Sequence, residues 1–132
     1  MVVSAHPLAS DIGIAILKKG GNASDATVAV QFALAVVYPS AGNIGGGGFF
    51  VYRSNEGSYS TLDFREKAPI SAHRDMYLDS NDKVIKNLSL YSHKAVGVPG
   101  TVDGMFEIHQ KYGQLKWEEL IQPSINLAEN GF

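Results

Sequence analysis

The 132-residue sequence predicts an α+β fold with helices and strands in separate runs, and three observations carry that prediction. Apolar residues recur at helical spacing in four segments, two before and two after a stretch of alternating aromatic and β-branched residues. One helical segment, residues 24–38, is apolar on nearly every side, with Ala26, Val28, Ala29, Val30, Phe32, Ala33, Leu34, Val36 and Val37. A helix without a polar face is buried on most sides. Charged residues make up only 18% of the chain against 45% apolar, where soluble domains carry roughly 25% charged. Two strands do not make a stable sheet by themselves, so the pattern reads as a piece of a larger layered structure.

Each element has its own signals. The first helix is expected over residues 8–19, where Leu8, Ile12 and Ile16 repeat along one face with Ala9, Ala15 and Leu17 beside them. Gly20-Gly21 stops it. Asn22 offers an N-cap with Asp25 three residues on, a variant of the capping box. It opens the apolar helix, which Pro39 closes. Residues 40–48, Ser-Ala-Gly-Asn-Ile-Gly-Gly-Gly-Gly, form a glycine-rich loop. Phe49-Phe50-Val51-Tyr52-Arg53 reads as a strand, residues 54–57 as a turn, and residues 58–65 as the returning strand of a β-hairpin. In that second strand Thr61, Asp63 and Arg65 alternate with Leu62 and Phe64 and share one face. Residues 69–90 are irregular, with at most a short helix at 73–78 and turns at Asp79-Ser80-Asn81-Asp82. Gly97-Val98-Pro99-Gly100 introduces a helix over 101–111, ended by Gly113. The last helix, 117–129, turns Leu120, Ile121, Ile125, Leu127 and Ala128 inward, tolerates Pro123 with a kink, and is capped by Asn130-Gly131.

Composition excludes several functions. Lys and Arg total 11 against 13 Asp and Glu, a formal charge of -2, so no basic stripe exists to neutralise a nucleic-acid backbone. The absence of cysteine excludes a disulfide framework, a thiolate zinc site and a Cys nucleophile. The most apolar stretch, residues 26–37, is interrupted by Thr27 and Gln31 and falls far short of the roughly 20 residues of a membrane span. Met1-Val2-Val3-Ser4 begins no basic or long apolar export signal.

Most candidate motifs dissolve on inspection. The glycine run follows a helix and precedes a strand, the reverse of a phosphate loop, and no Lys follows Gly48. It lets backbone pass close to a neighbouring segment or to a ligand, and the sequence does not choose between them. His6, His73, His93 and His109 lack metal spacing and read as surface or capping residues. Ser4 and His6 make no triad, and there is no Gly-x-Ser-x-Gly elbow. Asn22-Ala23-Ser24 and Asn87-Leu88-Ser89 match the glycosylation sequon, the first reading rather as a helix cap. Glu118 and Glu119 suit a helix N-terminus. Arg65 stands apart. At the end of a strand beside Asp63 it presents a rigid fork suited to a carboxylate, while an ordinary ion pair with Asp63 or Glu66 fits the same pattern.

The segment Asp63-Phe64-Arg65-Glu66-Lys67-Ala68-Pro69 resembles the signature of the gamma-glutamyltransferase (gamma-glutamyltranspeptidase) large chain. Gly20-Gly21-Asn22-Ala23-Ser24-Asp25-Ala26, residues 41–49, Gly97-Val98-Pro99-Gly100-Thr101-Val102 and residues 121–131 resemble the same family in the same order. The resemblance implies an αββα sandwich, the N-terminal-nucleophile hydrolase fold. One precursor of that family cleaves itself into a large and a small chain, and the new N-terminal Thr of the small chain is the nucleophile. It attacks the γ-amide of glutathione or another γ-glutamyl compound, and the acyl-enzyme passes to water, an amino acid or a peptide.

The family arginine that grips the glutamyl α-carboxylate maps onto Arg65, with Asp63 and Glu66 expected to orient it. Thr27, Thr61 and Thr101 are internal, so no catalytic residue is expected within this chain. Residues 1–132 then correspond to the N-terminal part of the large chain, inactive without the remaining large chain and the small chain. The resemblance implies no cofactor or metal, and a periplasmic or secreted location. The alternative is a non-catalytic γ-glutamyl-binding or structural module. A related acylase for apolar acyl groups would not need the carboxylate clamp.

Overall fold

A computed structural model describes all of residues 1–132. The elements are α1 (Pro7–Lys18), α2 (Ala23–Val37), β1 (Phe49–Arg53), β2 (Tyr59–Asp63), α3 (Leu88–Tyr91), α4 (Thr101–Tyr112) and α5 (Trp117–Asn130), with a 3-10 turn at His93–Ala95. The apolar helix is central, as its sequence demands: α2 packs on α1, α4 and α5, and only Ala23 and Thr27 are exposed along it.

Its start is fixed by a complete capping box. Asn22 Oδ1 accepts the Ser24 and Asp25 N–H groups at 2.9 and 3.0 Å, and the Asp25 carboxylate accepts the Asn22 N–H at 2.9 Å. Asp25 is fully buried without a cation, and it also accepts the Gln114 N–H at 3.1 and 3.2 Å. Asn22 Nδ2 donates to the Tyr112 carbonyl at 2.6 Å. The helix cap therefore doubles as the anchor of the connection between α4 and α5, and the buried Asp25 carboxylate has N–H partners on both of its oxygens there.

Val28, Ala29, Phe50, Met105, Ile108 and Leu120 form the main core. Phe32 meets Trp117 edge-on with ring centroids 5.6 Å apart, and Tyr52 stacks on Tyr112 at 4.5 Å. In α1 the buried stripe is Ala9, Gly13 and Ile16, with Ala15 exposed. In α5 the expected inward set is corrected. Leu120 and Ser124 are buried and Leu127 is half-buried, an i, i+4, i+7 stripe, whereas Ile125 and Ala128 face out. The helix runs on through Pro123.

The hairpin forms as expected, antiparallel with Phe49 opposite Asp63 and Arg53 opposite Tyr59. Phe50, Tyr52 and Leu62 pack towards the helices. On the other side Phe49, Val51 and Tyr59 are 66%, 78% and 75% exposed, which leaves that side of the sheet uncovered. Strand β2 is shorter than the expected 58–65. After a last ladder bond from the Phe64 N–H to the Gly48 carbonyl at 3.1 Å, Asp63 Oδ1 turns back to accept the Arg65 N–H at 3.0 Å. That Asx turn peels the chain off the sheet, so Arg65 lies just beyond the strand rather than at its end.

The expected helix at 73–78 is instead a pair of turns, closed by Met76 N–H to the His73 carbonyl and Leu78 N–H to the Asp75 carbonyl. Asp79 Oδ1 captures the Asn81 and Lys83 N–H groups at 2.8 and 3.0 Å, and Leu78 bridges to Val84. That short acidic side chain, binding its own following backbone, closes the turn expected at 79–82. The one helix of this region, α3, lies further on and follows Asn87, whose φ is +65°.

Candidate functional site

Residues 64–67 form a strap gripped from two sides. On one side runs the glycine loop. A Cβ on Gly47 would lie 2.5 Å from the Glu66 backbone nitrogen and 2.6 Å from both Arg65 Cα and the Phe64 carbonyl oxygen. Only glycine permits that approach. On the other side Lys67 and Val98 exchange two backbone hydrogen bonds, of 3.1 and 2.7 Å, and a Cβ on Gly100 would fall 2.0 Å from the Phe64 carbonyl oxygen. The question left open by the glycine run is thus answered by the chain itself: Gly47 makes room for a neighbouring segment.

The two sides are also joined to each other. The Gly46 carbonyl accepts the Gly100 and Thr101 N–H groups at 2.8 and 3.1 Å. Asn43 Oδ1 accepts the Gly46 N–H at 2.9 Å and the Thr101 hydroxyl at 2.7 Å. The Asn43 carbonyl accepts Gln31 Nε2 at 3.2 Å, which ties the loop to α2.

Arg65 emerges from this frame with its side chain 66% exposed. Its one ion pair is with Glu66, Nε to Oε1 at 3.4 Å, and exposed pairs of that kind contribute about 0–1 kcal/mol. Asp63 does not meet the guanidinium. Its carboxylate fixes the Arg65 backbone through the Asx turn, so the two expected supporting residues act differently, one on the main chain and one on the fork. Arg65 lines a cleft of about 310 Å³ together with Asp63, Lys67, Pro99, Asp103 and Glu107. The fork is therefore available to an outside anion.

Sequence reasoning missed Lys67, Asp103 and Glu107 as cleft residues. Asp103 and Glu107 stand four apart on α4 and so share a face, a signal that could have grouped them. Nothing local could have paired Asn43 with Thr101, which are 58 positions apart.

The other candidates lie away from the cleft. His109 sits between α4 and α5, with Nε2 2.8 Å from the Leu115 carbonyl and its ring 5.3 Å from that of Trp117. His73 and His93 line a separate open cleft with Lys94, and the His6 ring meets Phe132. Thr27 donates to the Ala23 carbonyl within its helix, Thr61 lies on the exposed side of β2, and Thr101 is fully buried. Glu119 pairs with Lys19 at 2.5 Å and accepts the Lys116 N–H at 3.2 Å. The Lys19 bond first, and the Lys116 N–H next, hold its carboxyl below the ordinary glutamate range. No helix is long and apolar enough to cross a membrane.

Comparison with known proteins gives consistent findings. The family model for gamma-glutamyltranspeptidase matches residues 9–132. The glutathione hydrolase proenzyme of Pseudomonas sp. (strain A14) is 55% identical over 132 residues, 100% of this chain and 23% of the relative. That of Escherichia coli (strain K12) is 49% identical over 132 residues, with the same two shares of 100% and 23%. In the crystal structure of Helicobacter pylori gamma-glutamyltranspeptidase, a TM-score of 0.93 at 55% identity covers 100% of this chain and 38% of that one. The chain thus spans about a quarter of the length of the curated relatives it matches.

Proposed function

Because the chain belongs to the gamma-glutamyltranspeptidase family, we propose that it forms part of a gamma-glutamyltransferase/glutathione hydrolase and supplies the arginine that binds the glutamyl α-carboxylate. Its helices and hairpin belong to the α+β fold of the N-terminal-nucleophile hydrolases. The observation that carries the proposal is Arg65: a guanidinium on the rim of a cleft, tied only to Glu66 at 3.4 Å, on a backbone gripped from both sides. A bidentate fork on a fixed main chain recognises a planar carboxylate and orients what is attached to it. Asp63 holds the Arg65 main chain and Glu66 steadies the fork.

The reacting groups come from elsewhere in the precursor. The N-terminal Thr of the small chain attacks the γ-carbonyl of glutathione or another γ-glutamyl compound, its own α-amine taking the hydroxyl proton. The amide C–N bond breaks, the amine leaves protonated, and the acyl group passes to water, an amino acid or a peptide. No internal Thr of this chain can play that part, so residues 1–132 are inactive alone and work with the remaining large chain and the small chain. A periplasmic or secreted setting accompanies this reading.

The test is release of the anilide from a γ-glutamyl-anilide, by this chain alone and by the complete precursor. Activity is expected only in the precursor, and turnover by the isolated chain would refute the division of labour. In the precursor, Arg65→Lys keeps the charge and loses the fork, a loss of about 1.5–3 kcal/mol, so KM should rise roughly ten- to a hundredfold. Unchanged kinetics would remove Arg65 from the site.

A further inference from the structure

We propose that Asn43 and Thr101 are positioning residues for substrate carboxylate binding: their side-chain hydrogen bond sets the place of the glycine loop, and the loop sets the place of Arg65. The proposal rests on the reading of Arg65 as the carboxylate fork.

The argument starts from what the loop lacks. Residues 45–48 are four consecutive glycines, with no side chains to hold them and the largest backbone freedom of any residue. Yet Gly47 packs directly on the backbone of Phe64, Arg65 and Glu66. A floppy segment cannot locate a rigid one, so the loop must be fixed from outside. Two atoms do this. The Gly46 carbonyl takes two N–H groups from the start of α4. Asn43 Oδ1 takes the Gly46 N–H and the Thr101 hydroxyl.

Thr101 is fully buried, and its hydroxyl makes a 2.7 Å bond to Asn43 Oδ1. It also begins the helix whose preceding residue, Gly100, abuts the Phe64 carbonyl. One side-chain bond therefore closes a ring around the strap: glycine loop, strap and helix start. Neither Asn43 nor Thr101 lines the cleft, so both act through Arg65 and touch no substrate.

The test uses the complete precursor and two anilide donors, one γ-glutamyl and one whose α-carboxylate is replaced by hydrogen. Thr101→Val keeps the shape and removes the hydroxyl. It should raise KM for the γ-glutamyl donor about tenfold, the size of one hydrogen bond, and leave kcat within about twofold. The donor without the carboxylate should be unaffected, and Thr101→Ser should restore the parent KM. In an Arg65→Lys background, Thr101→Val should add less than about twofold, because the place of a missing fork no longer matters.

Equal KM changes with both donors, a fall in kcat alone, or failure of Thr101→Ser to rescue would overturn the proposal and leave Thr101 a merely structural residue. If Arg65→Lys raises KM while Thr101→Val does not, this proposal falls and the carboxylate reading stands. If Arg65→Lys leaves KM unchanged, the carboxylate reading falls and takes this proposal with it. Should the Thr101→Val precursor fail to fold, Asn43→Ala, at a half-exposed position, removes the same acceptor and must give the same donor-dependent KM.

Discussion

Two glycines of one run should behave in opposite ways when replaced by alanine. A methyl group on Gly47 would sit 2.5–2.6 Å from three backbone atoms of residues 64–66, where an ordinary contact begins at 3.4 Å. Those atoms cannot swing aside as a side chain would, for Phe64 is bonded to Gly48 and Lys67 to Val98. Forcing extra atoms into a filled space costs about 1–3 kcal/mol, and a backbone obstruction places Gly47→Ala towards the upper end. Any relief moves Arg65, since its Cα is one of the three atoms. A misplacement of about 1 Å can cost up to a hundredfold in rate. Gly45, two residues away, has nothing within 4 Å of its would-be Cβ and no positive φ, so Gly45→Ala should stay within about 0.5 kcal/mol of the parent. Thermal unfolding and γ-glutamyl-anilide kinetics of both variants of the complete precursor check this. A Gly47→Ala protein that matches the parent in both measurements, or a Gly45→Ala protein that suffers as much, would refute the reasoning.

Other residues give independent checks. Asp25→Ala strips the partners from the Asn22 and Gln114 N–H groups and should destabilise by about 2–4 kcal/mol in chemical denaturation; a loss below about 1 kcal/mol would mean that the anchor is dispensable. The Glu119 carboxyl is held below its ordinary range, so its contribution is fully present above the unfolded-state value and is lost as pH falls through the lower folded one. Carbon-13 NMR titration should find the Glu119 midpoint below the ordinary glutamate range, and a midpoint at or above that range would contradict the Lys19 pairing. His109→Ala should lower the melting temperature, as Leu115 and Trp117 lose a neighbour, and leave kcat and KM unchanged; a large fall in turnover with folding intact would show a role in the chemistry.

Periodicity and punctuation made the frame legible. The nearly all-apolar α2 could only be a central helix, Asn22 and Asp25 could be read as a cap, and alternation around Ser54-Asn55-Glu56-Gly57 gave the hairpin. What escaped was set by single side chains capturing backbone. Asp63 ended β2 early and lifted Arg65 off the sheet by accepting the Arg65 N–H. In α5 the buried stripe ran through Ser124, a polar residue that an apolar count passes over. At the site, Arg65 was legible because a family signature surrounds it, whereas the ring of Asn43, Gly46, Gly100 and Thr101 joins segments far apart in sequence. No local pattern encodes such a meeting.

The cap of α2 has a consequence for the order in which this chain can be made. Asp25 completes its hydrogen bonds with Gln114, 89 positions later, and Asn22 with Tyr112, 90 positions later. At roughly 5–20 residues per second of synthesis, the most apolar helix of the chain is fully synthesised roughly 4 to 15 seconds before the last residue that finishes its N-terminus exists. Helix α1 is its early companion, and the faces that later receive α4 and α5 wait uncovered in the meantime.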